Sequence, residues 1–434
     1  MPKKTAEMLL AFCDRDGKVY DYPGMEPAFR TGRRSVRVDR KELIPLPYGS
    51  YLFSLEGRYP VRYDRKGDSF ETVTGDPDGN EIRALSAFLS SAYLRTYLPA
   101  YTEAKNAPML SLWAYAGAVI IDGEFFVPAM RIDDDPRSDP EIHQNARELR
   151  KAIFAVKKRY PENRLVGQLS TCSTEYNCLC ARNFFLGRHE APVPTSPACN
   201  ARCLGCLSLQ EGSGFAHSQP RLEFRPTPDE IAEVILHHVT AVERSVASFG
   251  QGCEGEPLMR ARDLARAVSK VREKTDRGTI NINTNGSRPD MIRMLSSAGV
   301  DSVRISMNSP TEKYYMRYHR PRGYSFADVL GSVEAALKCG LRVAINLFFM
   351  PGFTDMETEV EALRAFLKKF PVHMIQTRNL NIDPDFYFDS IGFEESEAMG
   401  IRKLVGMLRR DFPAVELGYY NRAKETYGKG NTLD

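Results

Sequence analysis

Three cysteines stand within eight residues, Cys199-Asn200-Ala201-Arg202-Cys203-Leu204-Gly205-Cys206, in a C-x3-C-x2-C spacing. Three thiolates this close along the chain can converge on one metal centre, and thiolates favour zinc, Cu(I) or iron–sulfur clusters. Structural zinc sites ordinarily use two separated ligand pairs. A cubane iron–sulfur cluster held by three cysteines leaves one iron open, and an open iron can bind a substrate or cofactor. Four more cysteines, Cys172, Cys178, Cys180 and Cys253, form a second candidate set for an auxiliary cluster or a zinc ion. The alternative for these four is free or core thiols. Cys13 and Cys339 stand apart, and each is expected to be a small buried apolar side chain. His237 and His238 adjoin on a predicted helix, where one is expected to face solvent.

The elements that position these residues follow from composition and periodicity. The chain has 434 residues, 42% hydrophobic and 26% charged. At about 150 residues per domain that suggests two or three domains with sizeable cores. Lys plus Arg is 59 and Asp plus Glu is 56, a net of +3, which makes no whole-chain case for nucleic acid or membrane. Six basic residues fall between Arg30 and Lys41 and read as a solvated strand face. The N-terminal MPKKTAEMLLAFCDRDG lacks a signal peptide's apolar length. The longest apolar runs fall well short of the ~20 residues of a spanning helix. A cytoplasmic protein is expected, where clustered thiols mean metal or redox chemistry before disulfides.

Residues 1–165 read as an α+β domain of unknown role, residues 166–190 as a cysteine-containing linker, and 166–226 as mostly loop. Ile82, Leu85, Leu89, Tyr93 and Tyr97 mark one helix face, and Ile142, Leu149, Ile153, Val156 and Tyr160 another. From Thr227-Pro228-Asp229-Glu230, a capping box with proline at the first helical position, helices and strands alternate. With a strand near Ala191–Ser196 this makes six β/α units, hence a parallel sheet. Asn281, Asn283 and Asn285 share one strand face, and Arg304, Ser306 and Asn308 share another. A closed eight-stranded barrel fills its lumen with branched apolar side chains. A polar lumen predicts an open, partial barrel that holds a polar ligand. The fold class expected is α/β, a partial (β/α)6 barrel over 191–390, followed by a C-terminal helix and tail over 391–434.

At this point the chain resembles the radical SAM superfamily, whose signature is C-x3-C-x2-C after the first strand of a six-unit partial barrel. Gly255-Glu256-Pro257 matches the end of the family's GGEP segment, and Asn283-Thr284-Asn285-Gly286 its T-N-G. Ser306, Asn308 and Met350-Pro351-Gly352 match further strand-end positions. The resemblance implies that Cys199, Cys203 and Cys206 hold a [4Fe-4S] cluster. It implies that S-adenosyl-L-methionine (SAM) chelates the open iron, with Gly255, Glu256, Pro257, Asn285, Ser306, Asn308 and Met350 as its binding residues. One electron, from a donor such as ferredoxin or flavodoxin, would then cleave SAM to a 5′-deoxyadenosyl radical that abstracts substrate hydrogen. Two positions depart from the pattern. Gly205 stands where an aromatic residue is usual, leaving the adenine contact to Phe349 or Met350, and Glu254 replaces the first glycine of GGEP.

The substrate is not legible. No cysteine follows Cys339, no D-x-H-x-x-G pattern is found, and the N-terminal half lacks G-x-G-x-x-G and the P-loop. Arg304 and Arg378 are candidates to clamp a substrate carboxylate or phosphate, or to form structural ion pairs. Tyr419, Tyr420 and Arg422 would cover the barrel mouth or pack as a terminal segment. Two other functions fit the motif cysteines: a zinc-stabilised binding protein, and a cluster- and SAM-binding maturation partner without turnover.

Overall fold

From Glu190 onward the chain alternates strand and helix as its periodicity predicts. The computed structural model describes residues 7–428 apart from 144, 213, 215 and 216, so the two N-terminal lysines and the last six residues lie outside the described residues. Seven core strands are β1 (Glu190–Pro192), β2 (Val246–Phe249), β3 (Thr279–Thr284), β4 (Ser302–Met307), β5 (Arg342–Phe349), β6 (Met374–Asn379) and β7 (Glu416–Gly418). Their order in the sheet follows the chain. Neighbours run parallel from Glu190↔Val246 to Met307↔Leu347 and again at Met374↔Glu416. The sequence provides for six units. The seventh strand is only three residues long, too short to display an alternating pattern.

The helices are α1 (Ala146–Arg159), α2 (Arg164–Thr174), α3 (Leu179–Phe185), α4 (Pro228–Ala241), α5 (Ala261–Arg272), α6 (Pro289–Ala298), α7 (Glu312–His319), α8 (Phe326–Lys338), α9 (Glu357–Lys369), α10 (Pro384–Ile391) and α11 (Ile401–Asp411). Both expected capping boxes form, at Thr227/Glu230 and at Ser325/Asp328. The segment read as loop contains α2 and α3. Asn163 caps α2 by accepting from the Val166 N–H, and Leu165, Val166, Leu169 and Cys172 are buried along it. Burial of that stripe holds as helix a Ser/Thr/Cys-rich stretch of weak intrinsic propensity. No helix of the described residues is long and apolar enough to cross a membrane.

Contacts divide the chain into two compact units. The first joins the residues through Asp134 to 348–363 and 377–412. Its N-terminal part is antiparallel sheet, and α10 and α11 supply helices from the far end of the chain. The helix expected over 82–97 is instead strand, at Arg83–Phe88 and Tyr93–Arg95. Arg83–Phe88 lies between Met8–Cys13 and Tyr51–Ser54 in an eight-stranded sheet, and its middle four residues are all buried. Burial on both faces erases the period of two, and Ala92 at φ 69° interrupts any helix.

The basic stretch is largely the solvated face expected: Arg33, Arg34, Arg37, Arg40 and Lys41 are exposed, and of the six only Arg30 is buried. Arg30 is buried against Asp385, and Arg33 and Arg34 pair with Asp389 and Glu395. Arg95 is fully buried with no carboxylate at hand. It donates to the carbonyls of Tyr115, Phe349 and Leu380 and to the Met350 sulfur. Met350 and Phe349 are themselves fully buried.

The second unit joins Asp135–Leu347 to 364–376 and the residues after Pro413. Its polar lumen is lined as expected, but its lower layer closes on itself. Glu190 accepts from Ser248 Oγ and from Asn421 Nδ2 at 2.7 Å. Asn281 Oδ1 accepts from Ser302 at 2.8 Å, and Asn281 Nδ2 donates to Asn283 Oδ1 at 2.8 Å. Arg304 donates to Gln376 at 2.7 Å, and Gln376 donates to Asn421 at 2.8 Å. Arg304 is therefore committed to the lumen network. The C-terminal segment is packed: Arg422 bridges Glu416 and Asp135, and Arg137 lies over the Tyr420 ring.

Candidate metal and cofactor site

The cysteine loop is held by its apolar residues. Ala201 and Leu204 are buried, and the loop backbone is pinned where Arg202 N–H donates to His319 O at 3.1 Å and Leu204 N–H to Tyr318 O at 3.0 Å. The thiols of Cys199, Cys203 and Cys206 fill the positions between these anchors and stay partly accessible. Burial pushes all three thiols up, Cys199 to about 12 with the Glu256 carboxylate adding to the effect. Without a metal they are protonated, so loading one releases protons.

Spacing separates the possible occupants. A tetrahedral zinc with ~2.3 Å bonds draws its sulfurs to about 3.8 Å of one another. Among the described residues, the one group of three or more possible ligand atoms lying mutually within 4.8 Å is Glu103, Asp383 and Asp385, and it contains no sulfur. The motif thiols are near enough to act on one another electrostatically but are not set at single-ion spacing, an arrangement that fits a multi-iron cluster. The acidic group belongs to the first unit, where Arg58 and Arg30 neutralise it.

Two glutamates fix the surrounding loops. The Glu254 carboxylate accepts from four backbone N–H groups, Thr195 (2.7 Å), Ser196 (2.8 Å), Gly250 (2.7 Å) and Gln251 (2.9 Å). Burial pushes its carboxyl up, and those four N–H groups oppose the shift. The departure from glycine is thus a clamp between the loops that follow β1 and β2. Glu256 accepts from Thr284 Oγ1 and from the Asn285 N–H at 2.8 Å, tying the β2 loop to the end of β3. Burial raises Glu256 to about 7. Between them, Gly255 N–H donates to Ser196 O at 2.6 Å, and a Cβ on Gly255 would lie 2.1 Å from Ala198 O. Only glycine permits this docking beside Cys199. Pro257 opens the turn that follows.

The other expected residues are placed as follows. Asn285 Nδ2 donates to Asn200 of the cysteine motif at 2.8 Å. Ser306 is half-buried on the lumen face of β4, in register with Asn346 of β5. Asn308 is fully buried and donates to Tyr314 O at 3.3 Å. Met350 belongs to the first unit and packs there as described.

Sequence reasoning missed two residues. Asn346 is buried with an Oδ1 that has no protein partner, a polar atom left for a ligand beside Ser306. The even-numbered alternation through Ala344, Asn346 and Phe348 carried that signal. His319, at the end of α7, places Nδ1 3.4 Å from Cys203 Sγ and stacks on Tyr315 at 4.1 Å. Burial lowers its ring to about 3, so it is neutral. One expectation is corrected: Cys339 is exposed rather than core. Of the histidine pair, His238 is buried against His189 O and His237 is partly exposed.

Residues 193–365 match the model of the radical SAM superfamily. That stretch, under half of the chain, is similar to a radical SAM domain. This family uses a [4Fe-4S] cluster and SAM, and its members require an electron donor. The chain is 28% identical over 226 residues to a probable GTP 3′,8-cyclase of Aeropyrum pernix, covering 52% of this chain and 56% of that one. It is 27% identical over 199 residues to the GTP 3′,8-cyclase of Edwardsiella ictaluri, covering 45% and 54%. The match thus spans little more than half of each relative. A solved structure, the FeFe-hydrogenase maturase HydG from Carboxydothermus hydrogenoformans, aligns at TM-score 0.38 and 17% identity over 64% of this chain and 70% of that one.

Proposed function

We propose that this protein is a radical SAM enzyme whose cluster is held by Cys199, Cys203 and Cys206. The observation that carries the reading is the C-x3-C-x2-C loop, its three thiols gathered beside the clamped Gly255-Glu256-Pro257 segment. When bound, the cluster and SAM supply a 5′-deoxyadenosyl radical that abstracts hydrogen from the substrate.

The chain's own residues prepare that event. Ala201 and Leu204 fix the loop so that three thiols face one centre. His319 stands against the Cys203 sulfur, where a ring N–H contact tunes the potential of the centre. Gly255, Glu256 and Pro257, with Asn285, Ser306 and Asn308, form the strand-end rim assigned to SAM, and Asn346 adds an unmet acceptor there. The closed polar layer below excludes water from the bottom of the lumen and limits ligands to the strand ends. A small reducing protein such as ferredoxin or flavodoxin, in the cytoplasm, is the electron donor in this reading. The matched part of the GTP 3′,8-cyclases supports the radical chemistry and leaves their substrate unassigned here.

Anaerobic reconstitution followed by iron and sulfide counting and a SAM cleavage assay tests the proposal. 5′-Deoxyadenosine should form on reduction. Cys203→Ala should reduce it to background while Cys13→Ala retains it. A reconstituted protein without labile sulfide, or equal loss in the two variants, would sink the reading.

A further inference from the structure

Four cysteines remain that the site above does not use. α2 ends just after Cys172, Asn177 at φ 52° turns the chain back, and Cys178 caps α3 with Cys180 in its first turn. The Cys178 N–H donates to Cys172 O at 2.9 Å and holds the turn closed. Cys253 comes from the β2 loop, far along the chain, and its thiol is a hydrogen-bond partner of Cys172. Cys178 and Cys180 form a second thiol pair, and Cys178 lies within electrostatic range of both Cys172 and Cys253. Gln168 Nε2 donates to Cys172 Sγ at 3.4 Å. None of the four is in a disulfide, and they come from α2, the start of α3 and the β2 loop of one compact unit.

We propose that Cys172, Cys178, Cys180 and Cys253 ligate a second iron–sulfur cluster. No other side-chain type enters the set, and soft thiolates select iron–sulfur, zinc or copper over hard cations. Among the described residues, no three of these sulfurs lie mutually within 4.8 Å, the compact set that a single tetrahedral ion demands. Two pairs that face each other suit iron atoms bridged by sulfide, each taking its own thiolates. With four thiolates the centre has no open iron, which confines it to holding or passing one electron. Cys253 is adjacent to Glu254, the clamp on the strand end that leads to Cys199, so the second centre sits beside the loops of the first.

The test does not depend on SAM cleavage, so it separates this inference from the proposed function. The full chain carrying Cys199→Ala, Cys203→Ala and Cys206→Ala is reconstituted anaerobically and assayed for iron, sulfide and zinc. The expected result is a brown protein with about 2–4 irons and matching sulfide, against roughly 6–8 in the unaltered chain. Adding Cys172→Ala and Cys180→Ala should bring iron to background. An iron-free triple variant with an unchanged circular dichroism spectrum would overturn the proposal, as would stoichiometric zinc without sulfide, or a disulfide within the set. Should the variants fail to fold, the Mössbauer spectrum of the unaltered chain decides. Two cluster components support the inference, and a single component of about four irons refutes it.

Discussion

Glu254 shows how a departure from a motif can be read as structure. A buried carboxylate is costly unless donors surround it, and here four backbone N–H groups do so. Truncation strands all four donors. Glu254→Ala should destabilise the protein by on the order of 3–5 kcal/mol, read as a lowered midpoint in urea, and should also lower the iron retained after desalting. Glu254→Gln keeps an acceptor oxygen and should fall between. The cysteine spacing made the motif legible in the sequence, but this clamp was not. Its partners are backbone groups, and backbone donors leave no trace in residue identity. His319 was missed for a related reason. It depends on α7, a short helix whose four aromatic or histidine positions show no clean apolar stripe.

Helix starts were the most legible elements, because capping residues are local. Thr227 and Glu230 close their box, and Glu230 also binds Arg164, which holds its carboxyl down from 4.5 to about 2. A carboxylate with a depressed folded-state value stabilises the fold above pH 4.5 and loses that contribution as pH falls through about 2. Arg164 is half open to solvent, so screening keeps the contribution of the pair small. Glu230→Gln should therefore lower stability modestly at pH 7, with the gap to the unaltered protein closing between pH 4.5 and about 2 in denaturant titrations. The strand at Arg83–Phe88 marks the opposite case. Its apolar positions fit a helical period, and only its neighbours in the sheet make it a strand.

At the scale of the molecule, the alternation of elements after Thr227 fixed the parallel core, and the strand faces announced a polar lumen. What the faces could not announce is that the lower polar layer is filled from the far end of the chain. Asn421 joins Glu190 of the first strand to Gln376 of the sixth. Asn421→Leu removes both contacts and leaves the part-buried Glu190 carboxylate short of a donor. A loss of about 3 kcal/mol is expected, measured by thermal or chemical unfolding, with the cysteine loop's iron content unchanged.

The same asparagine sets an order of events during synthesis. A chain emerges from the ribosome N-terminus first, and all seven core strands precede Asn421. Until that stretch is released, Glu190 and Gln376 lack the partner that joins them, and the bottom of the lumen stays wet. Completion of the core therefore waits on Asn421, leaving an interval after the cysteine loop has been made in which the polar layer of the nascent barrel is still unjoined.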